Sequence, residues 1–255
     1  MFYKNKKVTS YIQIFLILFL VNFQLFSLDN QQELSKNDIN ILQENNSANL
    51  KKHVKYKNII FDMGNVLVSW EPTKIAADIC AKNKDLKFDI NGLLELVSSN
   101  NWKKWDRGLI TRKDIESSIP TSLDLNAVKL FLDVMPLQVT IEENINILKT
   151  VKALGYKVYI LSNVSKENLE IMKQVYDFFK LFDGAVFSNE VQEAKPDIAV
   201  YQIFLKKYNL NPSECLFIDD VQKNIDVANL VGIDGIVCTD SNFLKAELKR
   251  LQIID

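Results

Sequence analysis

From residue 57 onward, short uninterrupted apolar runs alternate with longer stretches in which apolar residues recur at helical spacing. Runs of the first kind predict buried strands near residues 57–62, 157–162, 184–188, 215–219 and 235–239. Among the second kind, Ile141, Ile145, Leu148 and Val151 form a stripe. Thr140-x-x-Glu143 reads as a capping box before it, and Gly155 as its stop. Another helix is expected from about Lys223 to Val231, ending at Gly232. Strands alternating with helices predict an α/β fold, a parallel sheet with helices on both faces. Residues 73–138 break the rhythm. They are helical by pattern, contain Trp102, Trp105, Asp106 and Arg107, and show no strand-like run. They read as a helical cap inserted into a core made of 57–72 and 139–255.

The N-terminal stretch is of another kind. Lys4, Lys6 and Lys7 precede the apolar run Ile14 to Val21, while Gln13, Asn22, Gln24 and Ser27 interrupt the wider segment. Residues 1–28 therefore read as a secretory signal peptide with a cleavage point near Ser27, or as an uncleaved anchor. The run is short of the about 20 apolar residues that span a bilayer, and a buried helix is the third option. Export or membrane anchoring is expected, rather than a cytoplasmic location. Any contact with a membrane would be through this segment if it stays uncleaved. Residues 29–56, rich in Asn, Gln, Lys and Glu, read as a polar tether.

Composition narrows the chemistry. The net charge of -1 argues against nucleic acid as a partner. Cys80, Cys215 and Cys238 are too far apart for a CxxC pair or a disulfide framework, and the last two lie in apolar runs. The one histidine is His53, in the polar stretch, so Ser-His-Asp triads and His-rich zinc sites are disfavoured. None of the seven glycines builds a GxGxxG or GxxxxGK[ST] motif. Carboxylate and lysine chemistry remains. Nothing in the sequence indicates an oligomeric state.

Four strand-end signals supply that chemistry. Asp62 closes the first apolar run, and a carboxylate there can attack phosphorus to form an aspartyl-phosphate that water later hydrolyses. Asp219 and Asp220 close the fourth and offer the oxygen ligands that Mg2+ favours. Ser162 and Asn163 close the second, where a hydroxyl and backbone N–H groups can hold phosphate oxygens. Lys195, fixed by Pro196, can offset charge on Asp62 and a transferring phosphoryl group. Each also fits an ordinary role: Asp62 a turn cap, Asp219-Asp220 an acidic turn before a helix, Ser162-Asn163 a helix cap, Lys195 a solvated side chain.

In their order, Phe61-Asp62-Met63-Gly64-Asn65-Val66-Leu67, Ser162-Asn163, Lys195-Pro196 and Phe217-Ile218-Asp219-Asp220 with Asn224 resemble the four motifs of the haloacid dehalogenase-like (HAD) hydrolase superfamily. Glu190-Val191, Lys195-Pro196-Asp197 with Tyr201, and Trp105-Asp106-Arg107-Gly108 resemble its branch of small sugar-phosphate phosphatases with a helical cap. The resemblance implies a Rossmann-like sheet and magnesium held by Asp62, the Gly64 carbonyl, Asp219 and Asp220. It also implies a small phosphorylated metabolite, such as a sugar phosphate, as substrate. One position departs: where most such phosphatases carry an acid–base Asp two residues after the nucleophile, this chain has Gly64. A subgroup with this Asp-x-Gly-Asn form includes active phosphatases. The leaving-group proton would then come from water, from the substrate or from a cap residue such as Asp106. A non-catalytic phosphate-binding module and a 2-haloacid dehalogenase are the alternative readings.

Overall fold

The computed structural model describes residues 55–255; the leader or anchor expected at 1–28, most of the tether and His53 lie outside the described residues. Five strands form one parallel sheet: β1 (Asn58–Phe61), β2 (Lys157–Ser162), β3 (Gly184–Phe187), β4 (Cys215–Asp219) and β5 (Asp234–Val237), in the spatial order β3-β2-β1-β4-β5. The expected strands are all present, within a residue or two of their predicted ends. Their apolar runs are continuous because both faces are covered. Ile59, Phe61, Val158, Ile160, Leu216 and Ile218 pack into one cluster, while the alternate residues Ile60, Tyr159, Leu161 and Phe217 pack into another.

Between β1 and β2 the chain forms α1 (Pro72–Lys82), α2 (Ile90–Ser98), α3 (Asn100–Asp106), α4 (Arg112–Ser117) and α5 (Leu125–Val134), followed by α6 (Glu142–Ala153). Asp89, Ser99 and Asp124 cap α2, α3 and α5 with their side chains, and Thr111 with Asp114 makes a capping box on α4. The first five helices bury their own apolar cluster, which includes Leu93, Trp105, Ile115 and Phe131. After β2 come α7 (Lys166–Val175), α8 (Ser188–Val191), α9 (Ile198–Tyr208), α10 (Gln222–Leu230) and α11 (Ser241–Arg250). Helices α6, α7 and α11 supply residues to one face of the sheet, α9 and α10 to the other.

One local expectation is corrected. The stripe of α6 is buried as predicted, and Gly155 takes the left-handed φ of 92° that stops it. The capping box at Thr140 does not form. Helix α6 starts at Glu142, because Thr140 bridges to Val68 and the Ile141 N–H bonds the Leu67 carbonyl at 2.9 Å. The loop after β1 thus draws in the backbone that would have opened the helix.

Candidate active site

Parallel sheets leave a crevice at the carboxyl ends of the strands where chain order reverses. Here β2 and β3 extend the sheet to one side of β1, and β4 and β5 to the other. Phe61 pairs with Ile218 across β1 and β4, so the next residues in that register are Asp62 and Asp219. The Asp62 N–H donates to the Ile218 carbonyl at 2.9 Å, which continues the ladder and fixes Asp62 at the crevice. Ser162 ends β2 beside them, and Lys195 arrives on the loop after β3, through a cis Lys195–Pro196 bond.

All the strand-end residues expected to act together meet here. Lys195 Nζ lies 2.8 Å from Asp62 Oδ1 and 2.6 Å from Asp219 Oδ2. Both carboxylates and the ammonium are buried. Burial holds the Asp62 carboxyl above the usual range, while Lys195 and the Ser162 hydroxyl pull it back down. Lys195 stays firmly protonated: burial works against its charge, and the attraction of Asp62 and Asp219 outweighs it.

The two aspartates that close β4 divide the work. Asp219 is fully buried, and both of its oxygens are engaged. Oδ1 accepts from the Val221 N–H (2.8 Å) and from Asn224 Nδ2 (2.9 Å), and Oδ2 accepts from Lys195. Asp220 instead lines the cavity, and Asn65 Nδ2 donates to it at 2.9 Å. Burial raises the Asp220 carboxyl, and the Asn65 hydrogen bond opposes that. Asp219 therefore orients Lys195. Oxygens of Asp62, Asp219 and Asp220 lie within 4.8 Å of one another. Such an all-oxygen, anionic set fits a hard divalent cation, with Asp62 and Asp220 the members that face open space.

Asn163 acts at one remove. Its Oδ1 accepts from the Lys195 N–H (2.9 Å), and its Nδ2 donates to the Lys195 carbonyl (2.8 Å). The amide thus clamps the backbone that carries the ammonium instead of facing an anion, and the Ser162 hydroxyl lines the cavity beside Asp62. Gly64 lines the cavity and forms a bridge with Val68.

Above these groups opens a cavity of about 260 Å³. Besides the polar strand-end groups, it is lined by the apolar side chains of Trp70, Trp102, Met135, Pro136, Val164 and Met172. Of the residues considered for the entrance, Trp102 is among these. Trp105 is buried among the insert helices, its indole N–H donating to Glu167 at 3.0 Å, and Arg107 pairs with Asp197. Asp106 lines the cavity, and desolvation raises its carboxyl to about 7.

Several further residues take roles that the sequence does not reveal. Asn65 adopts a left-handed φ of 51°, holds Asp220 with its Nδ2 and accepts the Trp70 N–H at its Oδ1 (2.7 Å). Its signal in the sequence is its place in the Asp-x-Gly-Asn stretch, which does not reveal these partners. Ser188 accepts the Val164 N–H at 2.9 Å and donates to the Asp106 carbonyl at 2.5 Å, tying β2 and β3 loops to the insert. Asn168, 3% exposed, lines the cavity with a buried Oδ1 that has no partner among the described residues.

Comparison with known proteins gives the family and the fold. The family model for haloacid dehalogenase-like hydrolases matches residues 56–232. A sesquiterpene phosphatase of Aspergillus oryzae is 26% identical over 199 residues, 77% of this chain and 96% of that protein. A phosphorylated carbohydrates phosphatase of Thermotoga maritima is 29% identical over 90 residues, 35% of this chain and 41% of that protein. Among solved structures, a HAD family enzyme of Bacteroides thetaiotaomicron in complex with magnesium and inorganic phosphate superposes with a TM-score of 0.57 at 20% identity, over 71% of this chain and 93% of that one.

Proposed function

The chain belongs to the haloacid dehalogenase-like hydrolases, and from that premise we propose that it is a magnesium-dependent phosphatase acting on small phosphomonoesters whose organic part is largely apolar. The observation that carries this reading is the buried Asp62–Lys195–Asp219 cluster at a cavity that is also lined by Trp70, Trp102, Met135 and Met172. Asp62 attacks phosphorus and the ester bond breaks. Water then attacks the aspartyl-phosphate, releasing phosphate and the free carboxylate. Lys195 offsets the charge that gathers between Asp62 and the phosphoryl oxygens, and the Ser162 hydroxyl donates to one of those oxygens. Asp62, Asp220 and the Gly64 carbonyl would hold magnesium, with Asp219 behind them. When bound, the ion neutralises the repulsion between carboxylate and phosphate.

The insert helices read as a cap that sets specificity. A sugar would leave several hydroxyls against Trp70, Trp102 and Met172, at a cost for each unpaired polar group. An alkyl or terpenoid chain would bury apolar surface there instead, and the likeness to a sesquiterpene phosphatase supports this over a sugar phosphate. A steady-state comparison of phosphate release from a prenyl phosphate and a hexose phosphate, with magnesium and with chelator, tests the reading. Metal-dependent release that favours the prenyl ester and is lost in Asp62→Asn supports it. Turnover that survives both Asp62→Asn and chelation overturns it. Ligand-induced stabilisation without release would favour the binding-module alternative.

A further inference from the structure

We propose that Asp106, on the helical insert, delivers the proton to the leaving oxygen that the chain cannot supply from Gly64; this role rests on the phosphatase reading above. Three observations place it. Asp106 and Trp102 stand four residues apart on α3, hence on one helix face, and both line the cavity that holds Asp62. The backbone of Asp106 is anchored to the core, since Ser188 Oγ donates to its carbonyl at 2.5 Å. Its carboxyl has no hydrogen-bond donor and no cation partner among the described residues, unlike every other carboxylate of the site.

The surroundings favour a neutral carboxyl. Asp106 is the last residue of α3, where unpaired helix carbonyls oppose negative charge. Desolvation beneath the insert acts in the same direction. A carboxylic acid held near neutrality in an apolar pocket is suited to donate a proton. Met63, Gly64 and Asn65 follow the nucleophile and offer no titratable side chain for the task.

The step balances. Asp62 Oδ forms a bond to phosphorus while the ester P–O bond breaks. The electron pair of that bond goes to the leaving oxygen, which takes the Asp106 proton and departs as an alcohol. Asp106, now a carboxylate, accepts a proton from the water that attacks the aspartyl-phosphate, and inorganic phosphate leaves.

Leaving-group dependence tests the assignment. Wild type and Asp106→Asn are compared on an alkyl phosphate, whose alkoxide needs protonation, and on 4-nitrophenyl phosphate, whose phenolate does not. The expected result is a loss of about 10²- to 10⁴-fold in kcat/KM on the alkyl ester and of no more than about tenfold on the aryl ester. Equal losses on both overturn the role of Asp106 while leaving the phosphatase reading intact. Wild type that releases phosphate from neither ester overturns the reading and the role together. Should the Asn variant fail to fold, Asp106→Glu shifts the carboxyl by one methylene and is held to the same criterion: a larger penalty on the alkyl ester supports the role, an equal one overturns it.

Discussion

Lys195→Met is the sharpest probe of the cluster beneath the cavity. The ammonium sits between Asp62 and Asp219, with side-chain exposures of 2% for Lys195, 10% for Asp62 and 0% for Asp219. Removing it leaves two carboxylates, with oxygens within 4.8 Å, facing each other without a cation. Orphaning buried charge in this way costs about 3–5 kcal/mol. Protonation makes part of that cost depend on pH. If one carboxyl escapes by protonating, it holds at pH 7 a proton that the wild-type Asp62 carboxyl, at about 6, has released; at about 1.36 kcal/mol per pH unit, that accounts for about 1 kcal/mol. The sign follows from linkage. Wild-type Asp62 is itself raised to about 6, so variant and wild type lose stability in parallel from pH 3.8 to about 6, and the pH-dependent part of the difference grows only above that. Denaturant unfolding with chelator should show Lys195→Met destabilised by about 3–5 kcal/mol at pH 7, with the loss about 1 kcal/mol smaller at pH 5. At pH 7 the melting temperature should fall by about 8–16 °C. A loss under about 1 kcal/mol at pH 7, or one unchanged between the two pH values, would refute the account of Lys195 as the charge that holds this floor together.

Asp183 predicts an acid-sensitive term away from the site. Burial pushes its carboxyl up, but Lys152, the Val158 N–H and Lys157 outweigh that and bring it to about 2. Its stabilisation is present above 3.8 and is lost as pH falls toward 2, so Asp183→Asn should cost about 2 kcal/mol or less at pH 7 and nothing at pH 2, measured by unfolding across that range. Gly184→Ala would place a Cβ 2.5 Å from the Tyr208 ring, whose hydroxyl exchanges hydrogen bonds with Ala185. A loss of about 1–3 kcal/mol is expected in thermal or chemical melts. Gly64→Asp should fold normally, because its Cβ would meet only Trp70 Cβ at 3.7 Å. Stability should stay within about 1 kcal/mol of wild type, with faster release from alkyl phosphates; a large fall in melting temperature would show that the loop lacks the room.

Much of this arrangement was legible before any coordinates. Asp62, Ser162 and Asp219 stood out because strands buried on both faces are unbroken apolar runs, and a polar residue at the end of such a run falls at the crevice. The helical insert was legible as an interruption in the βα rhythm. Less legible were roles that depend on partners distant in sequence. Nothing local distinguishes Asn65 from a turn asparagine until Asp220 arrives beside it, or marks Ser188 as a tie between two loops and α3. The division of labour between Asp219 and Asp220 is likewise set by Asn224 and the Val221 N–H, which enclose the first and leave the second facing the cavity. Thr140 shows the converse, since a valid capping pattern lost to a bridge with Val68.

The central place of β1 carries a consequence for how the molecule matures. Its edges are completed by strands far along the chain, and the Asn65–Asp220 hydrogen bond spans 155 residues. Helices of the insert can gather from neighbours in sequence, but the reactive floor exists only after β4 has paired with β1, a closure of the long-range kind that slows folding. Hydrolytic competence should therefore return late on refolding, behind the recovery of helical ellipticity, and its appearance would certify that the whole sheet has closed.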